Sequence, residues 1–172
     1  GMGGYVTVPG GISSALLGKP LALMNADAPL LLSNKALKLF AKKLMFGLPS
    51  NALMQEQKFV FTGNPIRREI TELAMPQQRY EQHKGSLKIL VVGGSLGARV
   101  LNEAVPDALA LIPEDQRPIV THQSGKQHVE GLRQRYAAQN VQAEVLDFIH
   151  DMPRRYADAD LVICRAGAIT VS

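Results

Sequence analysis

From Ile89 to Asn102 the chain reads Ile-Leu-Val-Val-Gly-Gly-Ser-Leu-Gly-Ala-Arg-Val-Leu-Asn, and the chemistry open to such a run is anion binding. Ile89 to Val92 is an aliphatic run of the kind buried in a parallel sheet. Beyond Ala98, apolar residues recur at helical spacing (Val100, Leu101, Ala104, Val105, Ala108, Leu109). Gly93 and Gly94, between strand and helix, can take backbone angles closed to other residues and let a ligand approach the main chain. The first amides of the helix have no partner within it and point outward, which suits a phosphate. The alternative is a tight strand-to-helix turn with no ligand.

Two familiar phosphate loops fit poorly. A dinucleotide fold calls for Gly-x-Gly-x-x-Gly and an acidic residue about 20 positions on, at the end of the next strand. Here the pattern is Gly93-Gly94-Ser95-Leu96-Gly97, and the next strand ends Val120-Thr121-His122-Gln123. A nucleoside-triphosphate loop needs Ser or Thr after Gly-Lys, whereas Gly125-Lys126 is followed by Gln127, and Val120 stands where the earlier glycine belongs.

The elements that must position this turn alternate. From Leu87 the chain predicts strand 87–92, helix 98–112, strand 118–122, helix 127–139, strand 143–146, a short helix near 152–158, strand 161–164 and a turn into a new helix, the pattern of a doubly wound parallel sheet. Ligands of such sheets bind beyond the carboxyl ends of the strands. Three further loops fall there: His122 to Lys126, Phe148 to Met152, and Arg165 to Ser172. Ahead of this domain, 74–86 is polar, lacks apolar periodicity and reads as an interdomain linker. In residues 1–73, a second glycine-rich turn at Pro9-Gly10-Gly11 precedes a short helix 12–17. Pro20 to Met24 reads as a strand, Ser33 caps a helix running to about Lys42, and 44–46 and 59–62 read as strands. Gly63-Asn64-Pro65 then opens another helix.

With 46% apolar residues in 172, the chain can bury a core and is not disordered. One cysteine, Cys164, excludes an internal disulfide framework and suits a reducing compartment. No run approaches the roughly 18 apolar residues of a membrane span, nor does a signal peptide open the chain, so it reads as cytosolic and at most peripheral to a membrane. The net charge of +4 is unevenly spread: residues 1–73 hold eight Lys/Arg against four acids and the remainder holds eleven of each. That favours an anionic partner for the first part only.

Gly1-Met-Gly-Gly-Tyr with Pro9-Gly-Gly, Gly63-Asn-Pro-Ile-Arg67, Val91 to Arg99, His122-Gln-Ser-Gly125, Phe148-Ile-His-Asp-Met152 and Arg165 to Ser172 resemble, in this order and over essentially the whole chain, the motifs of the MurG family, bacterial glycosyltransferases of peptidoglycan synthesis. The resemblance implies an α/β protein of GT-B type, with two Rossmann-like doubly wound parallel-sheet domains, both incomplete in this chain. Residues 1–73 would be the later part of a lipid-acceptor domain and 87–172 the earlier part of a UDP-sugar donor domain. The implied reaction is metal-independent and inverting, needs no cofactor, and moves N-acetylglucosamine from UDP-GlcNAc to lipid I, giving lipid II. The family protein is about twice this length, so the chain resembles its middle. The catalytic base and the loop that reads the sugar are then expected outside it, leaving the isolated piece inactive.

Carried over by position, Gly94 and Ser95 would contact the donor diphosphate and Arg67 would be a donor-contacting cation in the interdomain cleft. Ile149 would pack near uracil and offer its backbone to the base edge. Ala168, Ile169, Thr170, Val171 and Ser172 would supply helix-start amides and hydroxyls to the nucleotide, and Gly1, Gly3 and Gly4 would help form the acceptor diphosphate site. Asp27 stands where the family usually has a donor-contacting asparagine. An extra carboxylate beside a diphosphate repels it unless paired, and the alternative role for Asp27 is to cap the segment that follows.

His83, His122, His128, His150 and Cys164 show no metal-ligand spacing, and His122 reads as a structural hydrogen-bonder at a strand end. A non-enzymatic nucleotide or nucleic-acid module is disfavoured, because aromatics are few and the domain with the best ligand loops is electrically balanced. Another GT-B UDP-sugar transferase or a UDP-GlcNAc epimerase would differ by lacking a lipid acceptor. Lipid I is membrane-anchored, so the expected location is the cytoplasmic face of the inner membrane. Lys35, Lys38 and Lys42, at i, i+3 and i+7 on one face of the expected helix, would meet anionic lipids there. A merely solvated lysine face is the alternative.

Overall fold

The structure is a computed structural model that describes residues 3–51, 56–94 and 96–172, with Gln82 through its backbone alone. Two compact units emerge, Gly1–Ile66 with Ala166–Ser172, and Arg67–Arg165. The expected boundaries lay instead at 73 and 87.

The first unit opens with helix α1 (Thr7–Leu16), followed by strand β1 (Leu21–Asn25), helix α2 (Leu32–Leu37), β2 (Ala41–Phe46) and β3 (Phe59–Phe61). The strands form a parallel sheet in the order β1-β2-β3. Its core is Leu21, Leu23, Leu37, Leu44, Phe46 and Phe59 with Ala41, where each fully buried large side chain contributes about 1.5–3 kcal/mol. Two local expectations are corrected. Pro9-Gly10-Gly11 does not turn the chain but lies inside α1: proline is tolerated in a first helical turn, and Gly11 is buried because a Cβ there would fall 2.5 Å from Leu37 Cδ1. The helix expected to begin at a Ser33 cap starts at Leu32 instead, with Leu31 at its N-cap and no side-chain cap, and it ends at Leu37, not Lys42, because Ala41 already begins a strand. The register shifts between Leu21 and Ala22, which pair with Ala41 and Lys43, so Lys42 is passed over and both lysines are exposed. Lys35, Lys38 and Lys42 therefore share no helix face, and Lys38 is paired with Glu56 at 3.1 Å.

The second unit follows the expected alternation closely. After the short helices α3 (Arg68–Thr71) and α4 (Pro76–Gln82) come β4 (Lys88–Val92), α5 (Arg99–Ala110), β5 (Ile119–Gln123), α6 (Val129–Ala138), β6 (Glu144–Leu146), α7 (Met152–Asp158) and β7 (Leu161–Cys164). All pairings are parallel and the order is β6-β5-β4-β7. Successive residues face opposite sides: Val91 joins Val105, Leu109, Val120, Leu132 and Tyr136 beneath α5 and α6, whereas Leu90 packs with Ile149 and Ala159 on the α7 side. Both faces are covered, as a parallel sheet requires. The order reverses between β4 and β7, and the carboxyl ends at such a switch point are where parallel sheets of this kind bind ligands.

The stretch 74–86, expected as an interdomain linker, contains helix α4. Helix α4 docks on its own unit, with Arg79 Nη1 donating to the carbonyls of Tyr156, Ala157 and Ala159 at 2.7, 3.1 and 3.1 Å. The Tyr80 hydroxyl donates to the Asp160 carbonyl, and His83 Nδ1 lies 2.9 Å from Asp160 Oδ1. Polarity hid this packing from the sequence, because the docking uses hydrogen bonds in place of an apolar stripe.

Candidate functional site

Gly93 and Gly94 follow β4 at the switch point. Gly94 has φ +87°, a conformation natural to glycine, is exposed, and accepts the Gly97 N–H at 2.9 Å to close the turn. A Cβ on Gly94 would meet only Arg165 Nη2, at 3.3 Å, whereas one on Gly97 would fall 1.9 Å from the Ser124 carbonyl oxygen. Gly94 thus presents backbone to open space, and Gly97 lets the turn lie against the loop after β5. That contact is reinforced by Asn102, buried in the first turn of α5, whose Nδ2 donates to the Ser124 carbonyl at 3.1 Å. Arg165, leaving β7 on the other side of the switch point, donates Nη2 to the Gly93 carbonyl at 2.7 Å. Backbone amides at a glycine turn with a guanidinium beside them have the chemistry to receive a phosphate-type anion.

The neighbouring loops are cross-tied. Gln123, the last residue of β5 and 2% exposed, donates Nε2 to the Gly94 carbonyl at 2.9 Å and accepts the Ile149 N–H on Oε1 at 3.1 Å. Beneath it, His122 is fully buried with Nδ1 2.9 Å from the Tyr136 hydroxyl. Burial pushes this imidazole down to about 4 and the Tyr136 phenol up. The neutral pair is a structural hydrogen bond, as its place at a strand end suggested.

The expected site residues divide between the units. Gly94 lies at the second unit's switch point, while Ser95 and Gly1 fall outside the described residues. The Ile149 side chain is 3% exposed, packed with Leu90 and Ala159, and its N–H is engaged by Gln123, so it anchors its loop from the core side and does not face outward. Arg67 is exposed and immediately precedes α3. In the first unit, Gly3 and Gly4 have φ +87° and +83° ahead of α1, and Thr7 Oγ1 donates to the Gly3 carbonyl at 2.6 Å. Asp27 is half-buried, and its carbonyl accepts the Asn25 side chain at 2.6 Å. Ala168 to Thr170 lie in a turn whose hydrogen bonds have the spacing of a first helical turn. Thr170 and Val171 donate their N–H groups to the Gly167 carbonyl, Ser172 Oγ donates to the Ala168 carbonyl, and Asn64 Nδ2 donates to Ser172 Oγ at 2.8 Å. Ile169 and Val171 are exposed.

Sequence reasoning missed Gln123, Asn102 and the direction of Arg165. Glutamine and asparagine carry no signature of their own, and only their register at the sheet's carboxyl edge gives them away. Among the described residues, no group of three His, Cys, Asp or Glu side chains could hold a metal ion, and no helix is long and apolar enough to cross a membrane.

Residues 88–172 match the glycosyltransferase family 28 C-terminal domain. Over all 172 residues the chain is 66% identical to the UDP-N-acetylglucosamine--N-acetylmuramyl-(pentapeptide) pyrophosphoryl-undecaprenol N-acetylglucosamine transferase of Herminiimonas arsenicoxydans, covering 48% of that protein. It is 62% identical to the protein of the same name from Janthinobacterium sp. (strain Marseille), again over 48% of its length. The chain spans about half the length of the curated relatives it matches. The crystal structure of Acinetobacter baumannii MurG superimposes with a TM-score of 0.77 at 38% identity, over 99% of this chain and 47% of that one.

Proposed function

We propose that this chain, whose residues 88–172 match the glycosyltransferase family 28 C-terminal domain, supplies the donor diphosphate receptor and part of the acceptor side of an inverting N-acetylglucosaminyltransferase that uses UDP-GlcNAc and lipid I. The observation that carries the proposal is the exposed Gly94 backbone at the switch point, with the Arg165 guanidinium hydrogen-bonded beside it. The names of the relatives supply the sugar and the acceptor.

In this reading the acceptor hydroxyl forms a bond to the sugar C1 as the C1–O bond to the β-phosphate breaks. The electron pair leaves with UDP, and the hydroxyl proton passes to a base that no residue of this chain is assigned to be. Gly94 and Ser95 offer main-chain and hydroxyl donors to the diphosphate, and Arg165 balances the charge that grows on it, which lowers the barrier because charge is greatest as the bond breaks. Arg67 and Ala168 to Ser172 contact the donor, the backbone of the Ile149 loop meets the base, and Gly1, Gly3 and Gly4 receive the acceptor diphosphate. Asp27 sits beside the donor only if its charge is paired. No metal is assigned a part.

A lipid acceptor calls for peripheral contact with the cytoplasmic face of a membrane. The positive excess of residues 1–73 supports that contact, as do the exposed Leu39 and Phe40 in the turn before β2. Co-sedimentation of the full-length protein with anionic vesicles tests it: pelleting that salt does not reverse removes the electrostatic part.

For the donor site, replacing Gly94 by Val puts a branched side chain at positive φ where the ligand must approach. The donor KM rises at least about tenfold, or activity is lost, in a protein that still folds. Unchanged donor kinetics in a folded variant refute the assignment, as does an absence of UDP protection at the amides of Gly94 and Gly97.

A further inference from the structure

We infer that Gln123 is a positioning residue for the donor nucleotide: one buried carboxamide holds the diphosphate turn after β4 and the base loop after β6 in a single mutual arrangement. The inference rests on reading the second unit as a UDP-sugar site and adds to it how the two ends of the nucleotide are recognised together.

The geometry follows from register. Gln123 closes β5, the strand between β4 and β6, where it pairs with Val92 on one side and Leu146 on the other. Its side chain therefore stands between the two loops that leave those neighbours. Ile149 needs an acceptor for a buried N–H, and the Gly94 carbonyl takes a donor. A planar carboxamide offers both on one group, at 3.1 and 2.9 Å. An ionised glutamate could serve only Ile149, and a thioether neither. With Gln123 only 2% exposed and both ends of the amide engaged with backbone, it touches no ligand.

Each loop is also fixed on its far side. The Gly94 carbonyl closes the turn to the Gly97 N–H, and the Ile149 side chain is held in the cluster with Leu90 and Ala159. Ser124 ties the bases of the two loops, through Asn102 and the Leu146 carbonyl, and Gln123 links Gly94 directly to Ile149. The spacing of base and diphosphate in UDP is covalently set, so a receptor whose two halves keep a fixed separation binds the whole nucleotide better than halves that must first be brought into line. Removing the link should weaken a ligand that spans both loops more than one that occupies a single loop.

The test uses the full-length protein and three probes: UDP, inorganic pyrophosphate and the complete reaction. Gln123→Met weakens UDP binding by about tenfold or more and pyrophosphate by less than about threefold. The donor KM rises in proportion while kcat changes little. Equal losses for the two ligands, or a fall confined to kcat, overturn the inference, as does unaltered UDP affinity in a folded variant. Gln123→Glu guards against a folding defect. Its carboxyl, once protonated, can again donate to Gly94 while accepting from Ile149, so UDP affinity recovers as pH falls through its pKa in this variant and not in Gln123→Met. A Glu variant with no such recovery counts against the link. Wild-type protein that fails to bind UDP at all removes the donor-site reading itself, a result distinct from any difference between variants.

Discussion

The middle strand of the first sheet and the inner strand β5 of the second end in opposite ways. In the first unit β2 ends at Phe46 and is followed by Gly47, and in the second β5 ends at Gln123. Across the space left by Gly47, Asn64 reaches from the loop after β3 to the Ala26 carbonyl in the loop after β1, at 3.0 Å, and a Cβ on Gly47 would fall 1.8 Å from its Oδ1. Both sheets therefore use one carboxamide to tie together the loops that follow the two strands flanking β2 or β5. In the first unit it comes from the edge over a gap, and in the second it rises from the inner strand. The edge solution leaves Asn64 half-buried, with Oδ1 lacking a hydrogen-bond donor among the described residues. From the inner strand, both ends of the amide are satisfied. A half-satisfied bridge makes the stiffness of the first unit's loops depend on a side chain that can swing, while the second unit's bridge is held at both ends of a buried amide.

Substitutions at the two crossing points break this comparison most directly. Gly97→Ala drives a methyl to 1.9 Å from a backbone oxygen at φ +77°, and neither partner can move without displacing its loop. The second unit should lose about 3 kcal/mol or more in denaturant unfolding. A loss under about 1 kcal/mol would show that the loop after β5 is pliable and that the two units do not differ in this respect.

An effect of intermediate size is expected from pH. His122 sits in the inner strand β5 of the second unit, while the matching stretch of β2, Met45-Phe46, has nothing to titrate. Its folded pKa of about 4 lies below the ordinary 6.5, so between these values the unfolded chain binds the extra proton. Stability is full above pH 6.5 and declines as pH falls toward 4, by up to about 3 kcal/mol. Amide exchange in β4 and β5 should accelerate relative to β1 and β2 between pH 7 and 5, and His122→Phe should flatten that difference. A slope indifferent to the substitution rules out His122 as its source.

The smallest effect belongs to Gly47→Ala. Its clash is with the Asn64 side chain, which can rotate away, so the cost should be about 1 kcal/mol, and Asn64→Ala in the same background should recover part of it. An effect as large as that of Gly97→Ala would mean that the edge bridge is as rigid as the central one.

How much of this was legible in the sequence depended on which force set each element. β4, β5 and β7 are aliphatic runs buried in a parallel sheet, and their order and alternation with helices could be read directly. The glycine turn could be placed as well, because only glycine suits φ +87° beside a close approach. The end of α2 could not. Leu37, Ala41 and Leu44 are all buried at spacings of four and three that suit a helix, and pairing with β1, through a bulge at Lys42, overrides that pattern. Gln123 and Arg165 were missed as parts of the site for a different reason: their importance lies in which strands stand next to each other, a fact that local composition does not carry.

The Arg79 guanidinium, set against three carbonyls at the end of α7, determines where the chain can be divided. A piece begun at Leu87, just ahead of the first strand of the second unit's sheet, would leave those carbonyls and the Asp160 carboxylate without the cation and imidazole that α4 brings. An autonomous excised domain has to start ahead of Pro76. A protease offered the intact protein should spare the polar stretch from Pro76 to His83, even though its composition resembles that of a cleavable connector.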